Sequence, residues 1–201
     1  MNVSKSSAII AGAAGFAVML GWIFDVSALK SISPDWVSMK FDTAVSFFLS
    51  GILLYSIVKA HNGEFDKAQI VISITSLLII LMMGTLFFSS VLNVHTGVED
   101  LFIKKPDTSP TTIVSGRPSF PTILNFVLMA SAGIFTILGI EKARLKMKII
   151  GYAVGIIGLS AAAGYIINAP VLYYYLPGVN CAMACHTAVL FVISGIGFVC
   201  L

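Results

Sequence analysis

"SMKFDTAVSFFLSGI" (residues 38–52) and "AMACHTAVLFVISGI" (residues 182–196) are close to one segment written twice. Met39, Thr43, Ala44, Val45, Phe47, Ser50, Gly51 and Ile52 correspond to Met183, Thr187, Ala188, Val189, Phe191, Ser194, Gly195 and Ile196. The match extends backwards with a single-residue gap, pairing Gly21 with Gly164, Leu29 with Leu172 and Pro34 with Pro177. A weaker middle copy sets Thr122, Phe126 and Leu128 where Thr43, Phe47 and Leu49 fall. Internal self-similarity of this kind outranks local propensity in deciding architecture. The unit reads as a helical hairpin: one span, a structured connection, and a span headed by threonine that runs back.

Composition says what surrounds those spans. The chain is 58% hydrophobic and 10% charged, against about a quarter charged in soluble domains. Residues Ser6 to Phe24, Ala68 to Val94, Pro118 to Ile140 and Ile149 to Cys185 contain no Asp, Glu, Lys or Arg. About 20 apolar residues cross a hydrocarbon core as helix. A bilayer admits only helices or closed barrels, and these runs are continuously apolar instead of alternating, so helices are expected. Six spans are predicted over 7–26, 43–59, 68–92, 121–140, 148–168 and 184–201. The first apolar run is too long for a signal peptide and lacks a cleavage site before "DVSALK", so it reads as a retained helix. The expected fold is an all-α integral membrane protein with one domain, 1–201. It is a six-helix transmembrane bundle of three hairpins over 7–67, 68–147 and 148–201. All three copies share one orientation, unlike the inverted repeats of many transporters.

The basic residues set the expected topology. "EKARLKMK" concentrates Lys142, Arg144, Lys146 and Lys148. Placing it in the cytoplasm puts both termini there, with seven basic and three acidic residues against five and six on the other side. A plasma-membrane location is expected, with the lipid bilayer and not nucleic acid as partner. The outer connections are the elaborate ones. In "SISPDWVSM", Ser33 as N-cap and Pro34 at the first helical position predict a short helix. "TGVEDLF" predicts another helical turn, and "KKPDTSPTTIVSGRPSFP" predicts a loop. "NAPVLYYYLPGVN" interrupts the last apolar tract, with Tyr173 to Tyr175 as an interfacial aromatic belt.

These three returning segments, together with "NVHTGVEDLFI…GRPSFPT", resemble the membrane-embedded input domains that precede PAS-containing bacterial histidine kinases and diguanylate cyclases. The resemblance spans roughly residues 10–201. It implies a non-enzymatic sensory module that detects a small ligand or a membrane state on the outer face. It also implies relay to a cytoplasmic transmitter, supplied by a partner chain or reached through a homo-oligomer.

The side chains able to carry chemistry are few. Cys181, Cys185 and His186 form a Cys-x-x-x-Cys-His string, one residue longer than the usual c-type haem attachment motif. A haem-binding redox protein is therefore an alternative, but the packing reading of the cysteines is preferred and no cofactor is the leading expectation. His186, one turn from Met183, is also a candidate ligand for a metal ion or a b-type haem, with His95 as a possible partner across the same side. Lys40 and Arg117 are candidates for an anion or peptide site at the hairpin mouths, although a solvated rim is the preferred reading. Thr43, Thr122 and Thr187 are assigned to helix entry, capping orphan amides. Ser46, Ser50 and Asn125 are expected to hydrogen-bond between helices. A third reading is a structural subunit of a larger membrane complex.

Overall fold

Helices occupy the charge-free runs. The computed structural model describes residues 2–33, 36–92, 97, 117–174 and 181–201. Its elements are α1 (Asn2–Ile23), α2 (Ser27–Lys30), α3 (Phe41–His61), α4 (Phe65–Leu92), α5 (Phe120–Ile137), α6 (Ala143–Ile166), a 3-10 turn (Pro170–Tyr173) and α7 (Cys185–Val199). The fold is all-α, and α1, α3, α4, α5 and α6 are long and apolar enough to cross a membrane. Helix α7 is apolar but has 15 residues, about 22 Å at the α-helical rise. It is shorter than the 184–201 span expected, because residues 181–184 stay extended and the helix ends at Val199.

Two boundaries move outward from the apolar runs. Helices α1 and α6 take Lys5 and "ARLKMK" into their first turns, where lysine and arginine are good helix formers with stems that lie along apolar surface. The short helix predicted from Ser33 and Pro34 lies mostly outside the described residues, though Trp36 N–H donates to the Ser33 carbonyl across it (3.1 Å). The helix in that connection is α2, before it, and Val37 to Lys40 are not helical. Pro34 and Asp35 lie outside the described residues, as do "TGVEDLF" beyond Gly97 and nearly all of the following proline-rich stretch. Gly63 takes the left-handed position after α3 (φ 97°), as its place in "HNGE" predicts.

Close contacts join neighbouring helices in antiparallel fashion, and α4 packs against α3 as extensively as against α5. Gly12 lies against Gly51, and Gly15 against Ala44 and Phe48, joining α1 to α3. Gly155 lies against Gly195, and Gly158 against Ala188 and Val192, joining α6 to α7. Phe87 packs on Phe120 and Gly133 faces Ile72, joining α4 to α5. Helices α3, α5 and α7 meet inside: Phe47, Phe126 and Phe191 form a triangle with centroids 4.8, 4.8 and 5.1 Å apart. All three rings are fully buried, at the spacing of offset and edge-to-face aromatic pairs.

The first and last pairs share their hydrogen bonds as well. Trp22 Nε1–H donates to the Met39 carbonyl, and Tyr165 O–H donates to the Met183 carbonyl, both at 2.8 Å. Met39 N–H donates to the Lys30 carbonyl (2.9 Å) and Met183 N–H to that of Tyr173 (3.0 Å). Asp25 and Asn168 both turn left-handed, with φ of 58° and 54°, where a short polar side chain is tolerated. Val26 and Ala169 then return N–H bonds to Gly21 and Gly164, each at 2.8 Å. Outward faces are apolar and open: Ile70, Ile74, Leu77, Leu81 and Phe88 on α4, and Ile149, Tyr152, Ile156 and Leu159 on α6. So much exposed hydrocarbon suits lipid, not water.

Candidate functional site at the entry of the inner helices

Helices α3, α5 and α7 start in the same way. The residue before each is extended: Lys40 (φ −67°, ψ 151°), Ser119 (−66°, 149°) and Ala184 (−65°, 148°). The first intrahelical bonds then run from Ala44 to Lys40, Ile123 to Ser119 and Ala188 to Ala184, at 3.0–3.1 Å. The amides ahead of those bonds have no partner within the helix. None of the three N-caps makes a side-chain cap bond. Thr43, Thr122 and Thr187 hold the third helical position and are buried, one turn before the phenylalanine triangle.

At Thr122 and Thr187 no side-chain bond to an orphan amide is present. Thr122 Oγ1 shares a 2.7 Å hydrogen bond with Ser119 Oγ, and Thr187 Oγ1 is buried without a partner. The expected interhelical hydrogen bonds are corrected. Ser46 Oγ, Ser50 Oγ and both amide atoms of Asn125 are buried with no partner. Leaving such groups unpaired costs about 1–3 kcal/mol each, so the inner helices present polar groups that their own packing does not satisfy.

Of the candidate ligands, Lys40 is 4% exposed and Met183 1% exposed. Lys40 is no solvated rim residue. It sits beside buried Asp42, and both are engaged with other residues. His186 occupies the second position of α7, the place of Asp42 in α3 and Pro121 in α5. Both its ring nitrogens are buried without a hydrogen-bond partner. Arg117 donates to Ser89 Oγ (2.9 Å), so it ties the entry of α5 to the end of α4. Cys181 is buried, Cys185 half-buried and Cys200 exposed, and all three are free thiols. His95 lies outside the described residues. Among the described residues no three His, Cys, Asp or Glu side chains converge as a metal site.

Aromatic side chains brace this end. Trp36 packs on Tyr165 (centroids 5.1 Å apart) and Tyr165 stacks on Tyr173 (4.4 Å), so the connection after α1 touches the end of α6. Tyr174 O–H and Ser160 Oγ are 2.6 Å apart. Tyr173 and Tyr174, expected in an interfacial belt, are half-buried, and Tyr175 lies outside the described residues. Sequence reading missed the matched Trp22–Met39 and Tyr165–Met183 bonds. Their signal was present in the self-alignment, because each donor follows the paired glycines Gly21 and Gly164 by one place.

This arrangement defines a multi-pass, all-α membrane protein with a bundle of packed apolar helices. No family model matches the chain, and no curated protein and no solved structure shows significant similarity to it. The resemblance to sensory input domains is therefore carried by the quoted segments alone.

Proposed function

We propose that the chain is a membrane-embedded signal-input module built from three like-oriented helical hairpins, with α7 completing a sixth crossing. The single observation that carries this reading is the common entry of α3, α5 and α7. Near-identical backbone angles there lead one turn later into the Phe47–Phe126–Phe191 triangle. The matched bonds of the α1–α3 and α6–α7 pairs support the repeat. The unpartnered His186, Thr187, Ser46 and Asn125 support a small polar ligand on the outer face. A ligand that bonds them in one packing of the inner helices shifts the balance between packings by its differential affinity.

Relay passes through α7 to a transmitter at the end that bears "EKARLKMK", which this reading places in the cytoplasm of a bacterial plasma membrane. The test is a chimera with a diguanylate cyclase fused after Leu201, assayed in membranes across a panel of small polar solutes. Cyclase output should change with at least one solute, and His186→Leu should abolish that response without lowering the amount of membrane-inserted protein. Constant output under every condition, in the parent and in His186→Leu, refutes the sensory reading and leaves a structural packing body.

A further inference from the structure

We infer that the bundle end carrying residues 141–148 holds a site for the headgroup of an anionic phospholipid. A groove of about 280 Å³, open on one side, lies where four helix ends meet. Its walls include Ala60 and His61 from α3, Phe65 from α4, Thr136 from α5, and Ala143 and Met147 from α6. The walls are mainly apolar, and their polar groups are largely committed. Thr136 Oγ1–H donates to the Ala132 carbonyl (2.9 Å), and His61 Nδ1 lies 2.9 Å from that of Ile57. The carbonyls ending α3 and α5 are taken by backbone amides from Asn62, Gly63, Leu138 and Gly139. The lining thus suits hydrocarbon or glycerol, not a hydrated ion.

Charge around the groove selects the lipid. On α6, Lys142 and Lys146 directly precede the wall residues Ala143 and Met147, and Arg144 and Lys148 directly follow them. Lys142, Arg144 and Lys148 are exposed. Lys146 lies over the Phe135 ring at 5.5 Å, so its charge is held at the α5–α6 seam. The opposing carboxylates at this end are Glu141, Asp66 and Glu64, and Glu64 is already paired with Lys59 at 3.3 Å. Four cations flanking the α6 wall residues in sequence, beside lipid-facing α4 and α6, match a phosphodiester at the surface with its acyl chains against the helices. A zwitterionic lipid offers its phosphate only together with a cation, which this rim disfavours.

The experiment uses the full chain, purified and delipidated in neutral detergent, with binding read by native mass spectrometry. Dioleoylphosphatidylglycerol should bind at least tenfold more tightly than dioleoylphosphatidylcholine. The exposed triple variant Lys142→Ala/Arg144→Ala/Lys148→Ala should lose about fivefold in affinity per residue removed. Ala143→Leu fills the groove with every charge in place and should also weaken phosphatidylglycerol binding. The control Lys5→Ala/Lys67→Ala removes charge from the same end and should have little effect. Equal affinity for the two lipids, an equal loss in the control, or an unchanged affinity in Ala143→Leu overturns the inference. Full competition by equimolar glycerol phosphate overturns it too, because the acyl chains would then contribute nothing.

Discussion

Replacing Gly51 by alanine would set a Cβ 2.6 Å from the Ala8 carbonyl oxygen and 2.6 Å from Gly12 Cα. Both obstacles are backbone of α1, so no side-chain rotation relieves them, and the α1–α3 pair must separate by several tenths of an ångström. A gap of that size forfeits a quarter to a half of the dispersion well for each atom pair it opens. Overpacking of this kind costs about 1–3 kcal/mol, and the backbone clash argues for the upper half of that range. Alanine returns about 1 kcal/mol in helix propensity, so the expected net loss is about 1–2 kcal/mol. Gly84 supplies the reference, because a Cβ there meets nothing within 4 Å. Gly84→Ala should stabilise by about 1 kcal/mol, making the two variants differ by about 2–3 kcal/mol. Gly12→Ala, with contacts at 3.6 and 3.8 Å, should fall between them. Gly195→Ala should match Gly51→Ala, since its Cβ meets the Gly151 oxygen at 2.6 Å and Gly155 Cα at 2.8 Å. Unfolding in mixed dodecyl sulfate micelles, followed by circular dichroism, gives the ranking. A Gly51→Ala protein as stable as Gly84→Ala refutes the close helix approach.

Three further outcomes follow from the interior. Phe126→Ala removes one corner of a fully buried aromatic triangle and should cost about 3–5 kcal/mol in the same unfolding assay. Asn125→Leu replaces an amide with two unpartnered buried atoms by an apolar group of similar size, and should be neutral or stabilising by about 1–3 kcal/mol. A loss above about 1 kcal/mol would show that the amide has a partner. Tyr165→Phe deletes the 2.8 Å bond to the Met183 carbonyl and should cost about 1 kcal/mol. Trp22→Phe, which deletes the matching bond to Met39, should cost more, because it also removes indole surface on which Lys30 rests at 4.9 Å.

Most helices were legible because their apolar runs approach or exceed about 20 residues and lack charge; the uncharged stretches of α3 and α7 are shorter. Helix ends were less legible: Lys5 and "ARLKMK" lie inside α1 and α6 because lysine and arginine propagate a helix while keeping their charge in water. The short helix α2 went unread because Ser27 to Lys30 carry no start signal as plain as the Ser-Pro of "SISPDWVSM". Asp25 already turns the chain left-handed (φ 58°) and lets α2 form ahead of it. For the candidate site, the alignment placed Thr43, Thr122 and Thr187 at equivalent positions, but their partners lay beyond it. Whether a hydroxyl finds an orphan amide depends on angles of a few degrees that a residue name does not encode.

Sequence alone determined that this chain is helical, apolar and membrane-crossing, since the solvent imposes that on any long uncharged run. The correspondences expected of Gly51 with Gly195 and Gly21 with Gly164 are likewise read from letters in a row. Tertiary structure alone decided that Phe47, Phe126 and Phe191 meet, that Lys40 is buried, and that Asn125 and His186 face no partner. Those outcomes depend on how closely glycine-lined helices approach, and that distance is set jointly by surfaces far apart in the chain.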